Sequence, residues 1–122
     1  MFDKRYRGLF IPANPFENVR YVTLPYDLFR QVLDCRLLEY IYPQMKHEVL
    51  DDGKNYIMIG DEEARLSNPH ALNPRATWLF GYTYPLAGDM MLFEDTGEDI
   101  DSLREPVLVR LRKAIIIKGE YL

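Results

Sequence analysis

The sequence has little cysteine, since Cys35 stands alone among 122 residues. A single cysteine forms no intrachain disulfide and builds no cysteine-rich zinc site, which is typical of a protein in the reducing cytoplasm. Cys35 also follows the end of a predicted helix, where the helix dipole does not lower a thiol pKa. We therefore expect an inert, buried thiol and a cytoplasmic protein.

Long hydrophobic runs are also absent. The N-terminal stretch 1–13 carries charge and is interrupted by Pro12, so it does not match a signal peptide. No later run approaches the roughly 20 apolar residues that a transmembrane helix needs. The sequence therefore predicts no membrane partner.

Recognisable catalytic motifs are missing as well. The two histidines, His47 and His70, have no second histidine, cysteine or carboxylate at metal-ligand spacing. The acidic run 61–63 could pair carboxylates for acid-base chemistry, but a solvated turn is the simpler interpretation. There is no glycine-rich phosphate loop and no nucleophile elbow. The sequence predicts no catalytic residue, no metal site and no cofactor, and hence a protein that is not an enzyme.

The chain has no excess of positive charge. Its 15 Lys and Arg residues stand against 19 Asp and Glu residues, a net charge of −4, which disfavours non-specific binding to phosphates. Basic residues nevertheless occur near both ends, where they could bind nucleic acid while Tyr6 stacks on a base, or simply form a solvated face. They are Lys4, Arg5, Arg7, Arg104, Arg110, Arg112, Lys113 and Lys118.

What the sequence does contain is a set of short strand patterns separated by turns. Alternating or apolar segments predict strands over 7–13, 19–24, 36–43, 55–60 and 90–93. The length suits one domain with a modest core. We therefore predict a single α+β domain over residues 1–122, with a mostly antiparallel four- to five-stranded sheet and two or three helices packed on one face.

Three segments have helical signals. A helix is predicted after Pro25, with Leu28, Phe29, Val32 and Leu33 on its buried side. A second is predicted over 75–80, because Asn73 can cap it, Pro74 suits its first position and Gly81 suits its end. The third segment, 107–117, combines helical spacing with strand-like alternation. A helix from near Pro106 to the isoleucines is favoured there, and a strand stays open.

Several of these local patterns resemble a known family. An acidic Asp-Glu-Glu turn at 61–63, the run Asn-Pro-Arg-Ala-Thr at 73–77 and a Gly-Asp pair at 88–89 before an apolar strand resemble domain-of-unknown-function family 3846. The opening strand and Pro-Ala-Asn-Pro turn at 10–15 and the second strand at 19–22 agree with that family. The sequence departs from it at Ala64, where glycine is commoner, and at 33–36. The resemblance covers roughly 7–94 and implies a small protein of bacteria, phages or mobile elements, with no catalytic residues to carry over.

Tyrosine is in excess, with nine residues in the chain. Tyrosine is enriched at protein interfaces, although strands also favour aromatic residues. Two tyrosines lie in a proline-containing loop that precedes a dense acidic patch, so we predict a partner-binding surface there. Its predicted residues are Tyr82, Tyr84, Glu94, Asp95, Glu98 and Asp99.

These features favour a non-enzymatic accessory protein of a phage or mobile element that binds, and inhibits, a host protein such as a component of a defence system. The location would then be the host cytoplasm. One alternative is a nucleic-acid binder that uses the basic termini. Another is a binder of a small molecule or nucleotide, with a pocket formed by His70, Asn73, Arg75 and Trp78. A homodimer is compatible with each hypothesis.

Overall fold

An antiparallel sheet organises the part of the chain that the computed structural model describes, residues 4–64 and 71–120, with side chains through Ala114. In these ranges six strands join in the order β2-β1-β5-β4-β3, and the short β6 pairs with the end of β5. Each neighbouring pair is antiparallel. The strands are β1 (Arg5–Ile11), β2 (Arg20–Pro25), β3 (Leu38–Ile41), β4 (Asn55–Asp61), β5 (Met90–Asp95) and β6 (Ile100–Asp101).

The α-helices that pack on this sheet are α1 (Phe29–Val32), α2 (Pro74–Phe80) and α3 (Glu105–Glu120). The predicted α+β class and antiparallel sheet are therefore confirmed. The strand β6 was not predicted, because a two-residue strand leaves no periodic pattern in the sequence.

Both faces of the sheet are buried, so the central strands are apolar on both sides. Met90 and Leu92 of β5 belong to one core cluster, and Met91 and Phe93 belong to the other. Residues from α2 and α3 complete the first cluster, and Phe29 of α1 completes the second. We call these sides the α2–α3 face and the α1 face. Two helices lie on one face as predicted, and α1 covers the opposite one.

The helix α1 follows a 3-10 turn, Tyr26–Leu28, and supplies the centre of the α1 face. Phe29 is fully buried, and its ring stacks on Phe93 with centroids 5.1 Å apart. The expectation that Leu28 and Val32 are buried with it was wrong, because both are exposed. Successive helical residues are rotated by about 100°, so a helix of one turn turns only one narrow side inward.

The helix α2 begins and ends as its sequence predicts. The Asn73 side-chain oxygen accepts a hydrogen bond from the Ala76 N–H at 3.1 Å, and Pro74 occupies the first turn. Gly81 ends the helix with φ +65°, and a Cβ there would lie 2.2 Å from the Met45 carbonyl oxygen. Only glycine fits both the left-handed conformation and that close approach.

The ambiguous C-terminal segment is helical, as favoured. Val107, Leu108 and Leu111 of α3 are buried against the sheet. Pro106 lies in the first turn, where its missing N–H costs no helical hydrogen bond. Ser102 precedes this helix, and its hydroxyl accepts a hydrogen bond from the Arg7 N–H at 2.8 Å.

Candidate functional site

Asn73 and Arg75, two residues of the predicted ligand pocket, are used inside the fold. The buried Asn73 amide donates to the carbonyl oxygens of Ile11 and Gly88, each at 2.9 Å. The buried Arg75 guanidinium donates to the Pro12 and Asn14 carbonyl oxygens, also at 2.9 Å. These bonds clamp α2 to the turn after β1, so the Asn73 amide and one terminal nitrogen of the Arg75 guanidinium already have partners.

The Arg75 side chain is not fully satisfied. Its Nε is buried with no hydrogen-bond partner among the described residues. Burial lowers the arginine pKa, and the negative charge of Glu17 partly opposes that shift.

The aromatic member of the predicted pocket lies at a different place. Trp78 packs against the α2–α3 core, and its ring centroid lies 3.9 Å from that of His47. His47 itself accepts a hydrogen bond from the Val49 N–H and begins a 3-10 turn. His70 lies outside the described residues. The ligand pocket therefore stays a prediction, with Asn73 and Arg75 engaged in hydrogen bonds within the fold.

The predicted acidic patch is divided between the two faces of the sheet. Glu94 lies on the α2–α3 face, where its carboxylate accepts a 3.0 Å hydrogen bond from Arg104 Nε. Asp95 is the next residue along β5 and lies on the opposite side. It lines a groove with Glu98 and Asp99. Four of the six predicted partner-binding residues are thus acidic, but only three of them share one surface.

That groove is a concave surface among the described residues. It has a volume of about 350 Å³ and lies over the end of the α1 face. Three tyrosines form one side, and the loop between β5 and β6 forms the other. Its lining residues are Tyr26, Tyr40, Tyr42, Ile57, Asp95, Gly97, Glu98, Asp99 and Ile100. We call it the tyrosine groove.

The three tyrosines are partly exposed to solvent, although they form part of the groove wall. Tyr26 is 41% exposed, Tyr40 42% and Tyr42 54%. The Tyr26 and Tyr40 hydroxyls are hydrogen-bonded to each other. Tyr26 also rests on the buried Phe29, with ring centroids 5.0 Å apart. These contacts fix two of the rings before any ligand arrives.

Burial and the hydrogen bond to Tyr26 raise the pKa of Tyr40 to about 12. The Tyr40 hydroxyl is therefore protonated at neutral pH.

The acidic loop, residues 95–99, is shaped by its own hydrogen bonds. The Asp95 carboxylate accepts from the Gly97 N–H at 2.8 Å, and the Asp99 carboxylate accepts from the Ile100 N–H at 2.7 Å. Gly97 has φ +92°, as the turn requires. In the part of the chain that the structure describes, no Lys or Arg forms an ion pair with Asp95, Glu98 or Asp99.

One of the two tyrosines of the predicted surface, Tyr82, contacts the chain at the end of β3, and its ring packs against the core of the α2–α3 face. The Tyr82 hydroxyl donates to the Tyr42 carbonyl oxygen at 2.5 Å, which links the loop after α2 to the groove wall. Tyr84 is 76% exposed, and Met45 in the neighbouring chain segment is 74% exposed.

Most of the described basic residues near the ends of the chain are engaged in ion pairs. Lys4 pairs with Asp101, and Arg7 pairs with Glu105. Arg110 pairs with Asp52 at 2.6 Å. Such pairs leave less positive charge for phosphates than the sequence count suggests. The nucleic-acid hypothesis retains Arg5, Arg112 and Lys113 as exposed cations among the described side chains.

Other classes of site find no support in residues 4–64 and 71–120. In those ranges no group of three or more His, Cys, Asp or Glu side chains is arranged to hold a metal ion. No helix there is long and apolar enough to cross a membrane. Burial, followed by the nearby Asp61 carboxylate, raises the pKa of Cys35, so its thiol is protonated and a poor nucleophile at neutral pH.

The sequence analysis missed Tyr26, Tyr40 and Tyr42 as site residues. A signal existed for two of them, because Tyr40 and Tyr42 are two residues apart and follow the alternation that places side chains on one face of a strand. Their proximity to the acidic loop had no sequence signal, because it depends on the order of the strands in the sheet.

Comparison with known proteins gives little beyond the fold. No protein-family model and no curated protein matches this chain. Among solved structures, the crystal structure of small RNA methyltransferase HEN1 is similar, with 18% sequence identity and a TM-score of 0.56. The similarity covers 91% of this chain and 16% of that chain. At this identity the likeness concerns the fold alone.

Proposed function

We propose that this protein is a non-enzymatic interaction module that binds another protein through the tyrosine groove. The observation that carries the proposal is the presence of three exposed tyrosine rings opposite three carboxylates without ion pairs in one concave surface. Protein interfaces are enriched in tyrosine, and pre-fixed rings lose little conformational entropy when a partner binds.

The nature of the partner is a further step of the same proposal. The resemblance to family 3846 supports a protein of a phage or mobile element that acts in a host cytoplasm. A small accessory protein without catalytic groups can affect its host by occupying a host protein, so we propose inhibition of a host component such as a defence-system protein.

Nucleic-acid binding is the competing proposal. It is weakened by the ion pairs that engage Lys4, Arg7 and Arg110. It predicts a steep loss of affinity with added salt, because phosphate contacts release counterions. The same experiment can separate the two proposals.

The test is affinity capture of the tagged protein from host lysate, before and after nuclease treatment, with two matched tyrosine variants. Tyr42→Ser removes a ring from the groove. Tyr21→Ser removes a ring of similar exposure, 45%, from β2 at the opposite edge of the sheet, and serves as the control.

We expect a stoichiometric protein partner that survives nuclease, binds the wild type and Tyr21→Ser equally, and is lost with Tyr42→Ser. Recovery of nucleic acid alone would overturn the proposal in favour of the basic surface. Equal capture by Tyr42→Ser would show that the groove is not the interface.

A further inference from the structure

We propose that the tyrosine groove receives a lysine or arginine side chain of the partner, an inference that rests on the proposed function. Tyrosine rings and carboxylates both line the groove, and both groups attract a cation. The proposal adds the chemistry of the ligand, because an interaction surface alone does not specify the charge of its partner.

The negative charge of the groove favours a cationic partner. Asp95, Glu98 and Asp99 contribute three carboxylates to a groove of about 350 Å³. No Lys or Arg is among the residues that line the groove. An incoming cation can therefore form ion pairs with these carboxylates.

The tyrosine wall of the groove also favours a cation. A cation over a tyrosine face is attracted by the ring quadrupole, and the attraction grows when water is excluded. Tyr40 and Tyr42 are separated by one residue at the end of β3, so both rings lie on one side of the strand. Tyr26 approaches from the 3-10 turn and is fixed to Tyr40 by their shared hydrogen bond. The wall is therefore formed without the partner.

The floor of the groove is apolar. Ile57 and Ile100 close the bottom of the groove, and both are buried. An apolar floor with charge at the rim suits a side chain that has a hydrocarbon stem and a charged end, as lysine and arginine do. A volume near the lower limit for small ligand sites leaves room for a side chain and not for a folded element.

The test uses short blocked tripeptides as probes, each with glycine on both sides of the central residue. The central residue is lysine, arginine, trimethyl-lysine, or the neutral analogue norleucine. Binding is followed on the isotope-labelled full chain by NMR at low ionic strength, through the Gly97 amide and the tyrosine ring signals. We expect saturable shifts with the cationic probes and none with norleucine.

Two variants with the same change in net charge make the test specific. The groove variant combines Asp95→Asn, Glu98→Gln and Asp99→Asn, and its asparagines can still accept the loop hydrogen bonds. The control combines Glu48→Gln, Asp51→Asn and Glu62→Gln at exposed positions outside the groove. The groove variant should bind the lysine probe about tenfold more weakly, in line with the loss of up to three exposed ion pairs, and the control should bind it normally.

The outcomes separate this inference from the proposed function. Equal binding of norleucine and lysine, or equal weakening in both variants, would overturn the cation site. If the captured partner depends on Tyr42 but binds the groove variant normally, the interaction module stands and the cation inference fails. Loss of the partner with both Tyr42→Ser and the groove variant, with the control unaffected, supports both.

Discussion

Glu94 and Asp95 are neighbours on β5, yet their carboxylates have different surroundings, because they lie on opposite faces of the sheet. On the α2–α3 face, Glu94 pairs with Arg104, and Asp52 nearby pairs with Arg110. On the α1 face, Asp95 opens into the tyrosine groove and has no basic partner among the described residues. The charged side chains Glu94 and Asp52 on the α2–α3 face are paired within the chain, whereas the groove keeps charge and aromatic surface available.

This difference indicates that polar contacts on the α2–α3 face stabilise the fold, whereas the groove on the α1 face is available for binding. Asn73 and Arg75 also hold the α2–α3 side together, by hydrogen bonds that reach across more than 60 residues of sequence. The α1 face obtains its stability from stacked apolar rings beneath the groove. Substitutions on the first face should therefore change stability, and substitutions at the groove should change binding.

The largest expected effect is loss of the support beneath the groove. Phe29→Ala removes a fully buried ring that contacts Tyr6, Tyr26 and Phe93. We expect the free energy of unfolding to fall by about 3 to 5 kcal/mol, as for other buried phenylalanines. Urea denaturation followed by circular dichroism measures this. Phe16→Ala is the control, because Phe16 is 79% exposed and its loss should cost less than about 0.5 kcal/mol.

The next effect tests whether Asn73 serves the fold. Asn73→Ala removes the cap of α2 and leaves the Ile11 and Gly88 carbonyl oxygens without its amide. We expect a loss of about 1 to 3 kcal/mol in the free energy of unfolding. Asn18→Ala, at an exposed position, should be nearly neutral. A similar small change for both variants would contradict the clamp and revive a ligand role for Asn73.

Phe29 and Asn73 also show how much of the fold could be predicted from the sequence. The cap at Asn73 and the stop at Gly81 were predicted correctly, because capping depends on residues adjacent in sequence. The reach of Arg75 to Pro12 and Asn14 was not predictable, since it depends on how α2 docks. The burial of Phe29 followed from its spacing, but that same spacing misplaced Leu28 in the core, because a periodic pattern does not reveal how short the helix is.

The groove illustrates the same limit at a functional surface. Its residues come from the 3-10 turn, the end of β3, β4 and the β5–β6 loop. The sequence indicated that tyrosines and carboxylates are plentiful, and it grouped the carboxylates of the acidic loop with Tyr82 and Tyr84. Pairing of β3 with β4 and β4 with β5 brings Tyr40 and Tyr42 toward that loop instead. Pairing between strands has no local sequence signal strong enough to reveal this.

The Asp52 carboxylate on the α2–α3 face should make the free energy of unfolding depend on pH. Burial disfavours the charged form of Asp52, but hydrogen bonds from Tyr56, the Lys54 N–H and Arg110 together hold its pKa below the usual value. A lowered carboxyl pKa adds stability above the pKa of the unfolded chain, about 3.9, and that stability is lost as pH falls through the folded value. Asp52→Asn should therefore be less stable than wild type at pH 7.

The difference in unfolding free energy between wild type and Asp52→Asn should shrink as the pH falls below about 4, because the carboxyl group is protonated first in the unfolded chain and then, as the pH passes its lowered folded pKa, in the folded protein. Urea titrations from pH 7 to pH 2 measure it. Asp51→Asn, at an exposed neighbouring position, is the matched control and should show a smaller pH-dependent difference. A constant difference across the range would mean that the Asp52 charge does not stabilise the fold.

The smallest expected effect compares two glutamates directly. Glu94→Gln removes the charge that pairs with Arg104, so the free energy of unfolding should fall by about 0.5 to 1 kcal/mol, the upper part of the range for exposed pairs. Glu98→Gln removes a charge from the groove and should leave stability unchanged or slightly higher, because it reduces repulsion within the acidic loop. High salt should diminish the first effect, since ions screen the pair. If Glu98→Gln were the more destabilising change, the groove carboxylates would belong to the structural charge network, and the division between a stabilising face and a binding face would fail at this residue.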